Sequence, residues 1–537
     1  MQKRKHHKEL TKIIDFRISG RPIRRAIAKV TPGGGKSLLP IEACRLITAG
    51  IADKVCWVVP RKSLQDQGER GFLDPKFRDM LGHRFTIRSA TNDLNPCRGT
   101  DGFITTYQAL GVDTGQTVLS DFRRRRYILV IDEFHHCEAD GTWTQAIAPL
   151  VEQAAFVVLM TGTLERGDKK KIAFIDYLPT RAGMTPDLTT DKETAVIEYS
   201  RADALSEQAI LPLHFHMHDG AVEWMSDIGD RVKRDLSRTN KKDASAAIYT
   251  ALATDYSKEL LISGVNHWAE TCPRSKCLVV TADIGHARET VDILQAHHLE
   301  CEIATSHESA AAQKSIKRFR DGRLPCLVTI AMAYEGLDVP AVSHLICLTR
   351  IRSQPWIEQM VARAVRVDPA AGPYENQIAH IFCPDDPLFR DIVKKIEREQ
   401  APFVKPKLEQ EPKGEKQLGL FGDESFGPMA PGGITPLSSR LIGNREKFLG
   451  PGPATVTATV IPMQTEREKE DALRLEIDRH VKAYAREILI KPTTVNGMLK
   501  NHFGKPREEM TRPELERVQA HLDQYYKTNQ FRRAVRL

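Results

Sequence analysis

The sequence predicts an α/β protein made of two tandem parallel-sheet lobes, a flexible linker and a small helical C-terminal domain. Short apolar runs rich in Val and Ile recur between residues 25 and 385, separated by segments of helical length. The runs form two groups, within about 20–200 and about 272–400. Composition then breaks at 401–465, where 18 of 65 residues are Gly or Pro against 64 of 537 in the whole chain. Runs of four or five apolar residues spaced by helices read as strands buried on both faces of a parallel sheet.

In chain order the expected strands are 26–30 (AIAKV), 55–59 (VCWVV), 103–106 (FITT), 127–131 (YILVI) and 156–160 (FVVLM). The second group is 277–280 (CLVV), 326–330 (CLVTI) and 344–348 (HLICL). The expected domains are 1–205, a first lobe with a basic N-terminus; 206–271, a polar segment of helical character that includes 246–270; and 272–400, a second lobe. Residues 401–465 read as a Gly/Pro-rich linker and 466–537 as a basic helical domain. In the last domain 466–490 and 511–526 have helical periodicity, with Thr511 as N-cap and Glu514 completing a capping box.

Bulk numbers mainly exclude. The longest apolar run is about seven residues, short of the ~18 of a membrane span, and no signal-peptide stretch is visible. Ten cysteines without a CxxC pair give neither a disulfide framework nor a zinc-finger spacing, so reduced thiols in a cytoplasmic protein are expected. His6–His7 and His135–His136 are neighbours rather than i, i+4 pairs, which argues against a metal site there. The net charge of +8 is concentrated at the ends. Residues 1–30 carry ten Lys/Arg and two acids, residues 481–537 a net +6, and the 450 residues between them −6. Basic ends on an acidic body suggest a polyanionic partner.

The chemistry-bearing motifs lie at the ends of the strands, where open parallel sheets bind ligands. Thr31, Pro32, Gly33, Gly34, Gly35, Lys36 and Ser37 follow the first strand and precede a helical stretch. Glycines without Cβ let successive N–H groups face phosphate oxygens, the lysine supplies a cation, and Ser37 can ligate Mg²⁺. Val30 departs from the GxxxxGK[ST] pattern at its first Gly. The strand 127–131 runs into Asp132–Glu133, where Asp132 is the expected Mg²⁺ holder and Glu133 the group that orients and deprotonates water. His135 is placed to link this acid pair to Thr161–Gly162–Thr163 at the next strand's end.

With these residues in order, the chain resembles the superfamily 2 helicases of the DExH/DEAD-like type, close in style to restriction-enzyme ATPase subunits. TPGGGKS resembles motif I, VVPRKSLQDQ (58–67) motif Ia, ITTYQAL (104–110) motif Ib, DEFH motif II and TGT motif III. VVTADIGHA (279–287), TIAMAYEGLDVP (329–340) and QMVARAVR (359–366) resemble motifs IV, V and VI, with Ala362 where the family usually has Gly. The resemblance covers about 20–400 and implies two RecA-like lobes with an ATP site between them. It implies ATP and Mg²⁺ as cofactors, and coupling of nucleotide state to nucleic acid through Glu335, Gly336 and Asp338. Arg363 and Arg366, three apart, would share one face of a helix and reach the transferring phosphoryl group, with Gln359 beside them. Arg61, Lys62 and Gln67, and more weakly Thr105 and Thr106, are the expected nucleic-acid contacts.

The function this implies is an ATP-dependent helicase or translocase, with DNA favoured over RNA. The alternatives are a duplex translocase without strand separation, as in restriction and defence systems, and a DNA-binding scaffold whose ATPase times its release. Two appendages add expectations. Gln417–Phe421 (QLGLF) resembles the peptide by which bacterial proteins dock on the replication sliding clamp. In the C-terminal domain Phe503, Tyr525, Tyr526 and Phe531 interleave with Lys505, Arg507, Lys527, Arg532 and Arg533, a mixture suited to single strands or to the rim of a helical bundle.

Overall fold

The computed structural model describes residues 2–537 apart from 91–92, 113–116, 165–169, 181–182, 189–191, 241, 306–309, 331–338, 340–341, 401–433, 451–454, 461–465, 488–489 and 529–537. Two compact units divide the chain, Met1–Val460 and Ile461–Leu537.

The first lobe of the larger unit contains β1 (Arg25–Val30), β2 (Lys54–Val59), β3 (Ile87–Ser89), β4 (Gly102–Thr106), β5 (Tyr127–Asp132) and β6 (Phe156–Thr161). A hairpin of β7 (Asp176–Thr180) and β8 (Gly183–Asp187) precedes β9 (Thr194–Tyr199). The sheet runs β3-β4-β2-β5-β6-β1-β9, parallel throughout. Every residue of β4 and β6 is buried, and β2 and β5 bury all but one end, as the continuous apolar runs require.

The second sheet contains β10 (Leu213–Met225), β11 (Arg231–Asp235), β12 (Lys276–Thr281), β13 (Cys301–Ala304), β14 (Cys326–Ile330), β15 (Val342–Leu348), β16 (Ala379–Pro384), β17 (Thr435–Leu449) and β18 (Thr455–Val460). Its order is β13-β14-β12-β15-β16-β10-β17-β18, with β11 paired to β10. The parallel part ends at β10, and β11, β17 and β18 add antiparallel pairs. All eight expected strands are present within two residues of their expected ends.

Two domain expectations are corrected here. Segment 206–271 is helical over Ala244–Leu252 and Asp255–Thr271, but it begins with the thirteen-residue strand β10. That strand reads LHFHMHDGAVEWM, too polar to register as an apolar run, and it is held by neighbours on both sides. Segment 401–465 is not linker throughout. It supplies β17, which pairs with β10 from Leu213↔Leu449 to Met225↔Thr435. The Gly/Pro average hid this because β17 and β18 together contain only Pro436 and Gly443.

The smaller unit holds helices Glu466–Glu487, Pro492–Phe503 and Arg512–Thr528 around Ile477, Val481, Leu499, Leu515, Val518 and Leu522. The Glu514 carboxylate accepts from Thr511 N and Oγ1, both at 2.8 Å, which is the Glu514 half of the capping box. No helix among the described residues is long and apolar enough to cross a membrane. None of the ten cysteines is in a disulfide.

Candidate active site

The phosphate-loop residues leave β1 through a tight backbone. Thr31 N donates to Tyr199 O at 2.9 Å, and Gly34 N donates to Thr31 O at 2.8 Å, closing a turn. Gly33 and Gly35 have φ of 81° and 91°, which only glycine adopts without strain. A Cβ on Gly33 would also lie 3.1 Å from Val365 Cγ2 of the second lobe. Lys36 and Ser37 open a short helical turn running into Leu39–Ala43. The missing first Gly is explained by Val30, fully buried as the last residue of β1.

The acid pair stands at the C-terminal end of β5. Asp132 is its last residue, and Glu133 follows in left-handed backbone at φ 50°. That conformation costs a non-glycine residue about 1–2 kcal/mol, and here it turns the second carboxylate toward the loop. Lys36 Nζ meets Glu133 Oε1 in an ion pair. Gly162 N donates to Glu133 Oε2 at 3.2 Å, and His135 Nδ1 lies 3.4 Å from the same oxygen. His135 Nδ1 is also 2.9 Å from Thr161 Oγ1, and Thr161 Oγ1 donates to Thr163 O at 2.6 Å. The expected link from the acid pair to the next strand is therefore present as hydrogen bonds. Tyr107 OH fixes the turn by donating to Asp132 O at 2.6 Å.

The two carboxyls differ in their electrostatics. Burial pushes Asp132 up to about 6, with Lys36 opposing. Burial also opposes the charge on Glu133, but Lys36 and His135 overcome it and hold Glu133 well below the carboxylate range. Asp132 Oδ1 is buried with no hydrogen-bond partner. An acceptor left in that state beside a serine-terminated phosphate loop fits a divalent cation.

A cleft of about 1250 Å³ joins Pro32, Gly33, Gly35, Lys36, Ser37, Asp132 and Glu133 to Gln359, Arg363 and Arg366 of the second lobe. Arg61, Lys62 and Gln67 line the same cleft. The helix expected under motif VI is corrected: it spans Gln354–Val361 and ends before either arginine. Arg363 N and Ala364 N donate to Met360 O and Val361 O, and Val365 O accepts from Leu211 N at 2.8 Å, so the chain unwinds and is held outward. Both arginines still reach the cleft from this turn. Burial lowers Arg366 to about 10.

Thr105 and Thr106 are corrected as nucleic-acid contacts. They are 2% and 8% exposed, and Thr106 Oγ1 accepts from Ala109 N at 3.1 Å as a helix N-cap. Asp338, Glu335, Gly336 and Gln417–Phe421 lie outside the described residues.

The basic N-terminal segment also contributes to the site. The N-terminal helix α1 (Lys5–Ile18) lies on the loop. Arg4 Nη1 donates to Gly34 O at 2.7 Å, and His7 Nε2 donates to Gly35 O at 3.1 Å while its Nδ1 accepts from Arg4 N. Lys3 pairs with the fully buried Glu42 at 3.0 Å and Lys5 with Asp203 at 3.0 Å. Part of the N-terminal charge surplus is thus spent inside the lobe. The only signal was KRKHHK itself, where adjacent histidines among basic residues are unusual for a solvated face.

Residues 1–166 match the family described as "Type III restriction enzyme, res subunit", and residues 258–368 match "Helicase conserved C-terminal domain". The two matches take in the phosphate loop, the acid pair and the Gln359–Arg366 segment in that order. The chain belongs to the superfamily 2 helicases, of the restriction-subunit type. An uncharacterized protein of Mycobacterium leprae is 24% identical over 70% of this chain and 61% of its own length. The type I restriction enzyme EcoKI endonuclease subunit of Escherichia coli is 23% identical over 72% of this chain and 35% of its own. The chain thus spans about three fifths of the mycobacterial relative. Among solved structures, the Mycobacterium smegmatis helicase Lhr bound to ssDNA and AMP-PNP is similar at 15% identity, with a TM-score of 0.44, over 74% of this chain and 47% of that one. A superfamily 2 helicase core implies ATP use, and the sites above lie where this helicase's two lobes face each other.

Proposed function

We propose that this helicase hydrolyses ATP to move along DNA, and that Arg363 and Arg366 make hydrolysis depend on lobe closure. The observation that carries the reading is the single cleft lined by the phosphate loop and acid pair of one lobe and by both arginines of the other. Lys36 meets the β- and γ-phosphates, and Gly33 and Gly35 keep the loop backbone open to them. Ser37 and Asp132 are the donors for magnesium, which when bound neutralises phosphate charge. Glu133 orients the attacking water and takes its proton, with His135 and Gly162 N holding the carboxylate in place. Arg363 and Arg366 meet charge on the transferring group, a contribution worth roughly 10³–10⁵ in rate for an arginine finger. Gln359 lies beside them. Arg61, Lys62 and Gln67 are the candidate contacts to the nucleic-acid backbone from lobe one.

The deciding experiment measures ATPase rate with no nucleic acid, single-stranded DNA, duplex DNA and RNA, together with strand displacement on a tailed duplex. DNA-stimulated turnover abolished by Lys36→Ala supports the motor. Turnover independent of every nucleic acid would refute it. A second reading, translocation on duplex without strand separation, is favoured by the res-subunit match, and duplex-stimulated ATPase without displacement would select it.

A further inference from the structure

The sequence HFHMH at 214–218 places three histidines on one face of β10, because alternate residues of a strand share a face. Register extends this row across the sheet. His214 stands opposite His380 on β16, and His380 opposite His344 on β15. On the other side His216 stands opposite Glu446 on β17. Helix Asp255–Thr271 crosses this face at Gly264, where a Cβ would be 2.7 Å from Ile346 Cδ1, and brings in His267.

Five imidazoles therefore gather from four elements. His216 Nε2 is 3.0 Å from His380 Nδ1, and His267 Nδ1 is 2.8 Å from His344 Nε2. His214, His216 and His380 each offer a ligand atom within 4.8 Å of the others. Glu446 adds a carboxylate, 3.4 Å from His214 Nε2 and 3.6 Å from His216 Nδ1. Zinc bound at 2.0–2.1 Å in tetrahedral geometry needs donors about 3.3 Å apart, so the three imidazole atoms, all within 4.8 Å of one another, would draw together around the ion. His216, His344 and His380 are 3%, 0% and 9% exposed, and buried imidazoles need a partner for each ring nitrogen.

We propose that His214, His216 and His380 form a binding site for a divalent transition metal of the zinc class, with Glu446 steadying His216 at the ring nitrogen turned away from His380. Imidazole donors suit zinc, copper, iron and nickel, unlike the oxygen-rich surroundings magnesium prefers. His344 stacks on His380 with centroids 4.6 Å apart and, with His267, packs the ring from the far side. The other triad that could hold an ion is His267, His344 and His380. The site lies near the N-terminal ends of β15 and β16, whereas the motif VI segment follows the C-terminal end of β15. It is thus at the opposite edge of the sheet from the ATP cleft. A metal there would fasten β10 to β16, joining residues 216 and 380, which are 164 positions apart in the chain.

The test uses the full chain carrying Asp132→Asn, so that the ATP site does not contribute, stripped with chelator and titrated with Co²⁺ and then Zn²⁺. The expected result is about one equivalent of cobalt with the visible absorption of a four-coordinate site, displaced by zinc, and a zinc-dependent rise in melting temperature. Glu446→Gln and His214→Gln, at partly exposed positions, should each weaken zinc binding at least about tenfold, in line with the cost of altering a ligand shell. Absence of stoichiometric cobalt or zinc binding by the otherwise unaltered chain would overturn the proposal and leave the imidazoles as a hydrogen-bonded core. Binding that survives Glu446→Gln and His214→Gln but fails in His267→Gln would equally overturn it, by moving the ion to the other triad.

Discussion

Replacing Arg4 with alanine separates two meanings of the basic N-terminus. Its guanidinium donates to Gly34 O at 2.7 Å, and a Cβ on Gly35 would sit 2.8 Å from the same Nη1, so the cation rests on the loop backbone. A hydrogen bond from a charged group contributes about 1.5–3 kcal/mol, and partial exposure of Arg4 reduces this to about 1–2 kcal/mol. At 1.4 kcal/mol per decade the nucleotide dissociation constant should rise about 5- to 30-fold. Arg4→Lys, which keeps the charge but loses the fork, should fall between. Calorimetric titration with a non-hydrolysable ATP analogue gives the dissociation constant, and ATPase assays give KM. DNA affinity at fixed salt is measured in parallel. Nucleotide affinity unchanged within about twofold, with a clear loss of DNA binding, would refute the reasoning and return Arg4 to the nucleic-acid surface.

Four further outcomes follow from the same geometry. Glu133→Gln should lower ATP turnover by roughly 10²–10⁴ while analogue binding persists, checked by steady-state kinetics and titration. Thr106→Ala should cost about 1 kcal/mol through the lost helix cap and leave DNA affinity unchanged, read from urea denaturation and a filter-binding assay. Arg352 and Asp386 form a 2.9 Å ion pair with both side chains 1% exposed, so Arg352→Met should destabilise the fold by about 3–5 kcal/mol in denaturant melts. Deleting 466–537, which lies within the separate C-terminal unit, should weaken DNA binding and flatten its log–log salt dependence by about 0.7–0.9 per lost phosphate contact. Unchanged slope after that truncation would show the C-terminal charge to be only a solvated surface.

What the sequence determined by itself is local and contiguous. The apolar runs had to be buried strands, and the loop, acid pair and Thr161–Thr163 had to sit at strand ends, because composition and spacing over ten residues carry that information. Long-range pairing carried the rest. Strand β10 was illegible because its histidines hide a buried strand, and β17 because its partner lies over 200 residues upstream. Thr105 and Thr106 looked available until tertiary packing buried them. The helix expected through Arg363 and Arg366 ended early because Val365 O is committed to Leu211 N, a contact no local periodicity encodes. The same holds for charge: sequence counts it, but only the fold shows that Lys3, Arg4 and Lys5 are engaged within the first lobe. Spacing reports which groups a segment offers. Register and packing, set by strands distant in the chain, decide which of those groups meet.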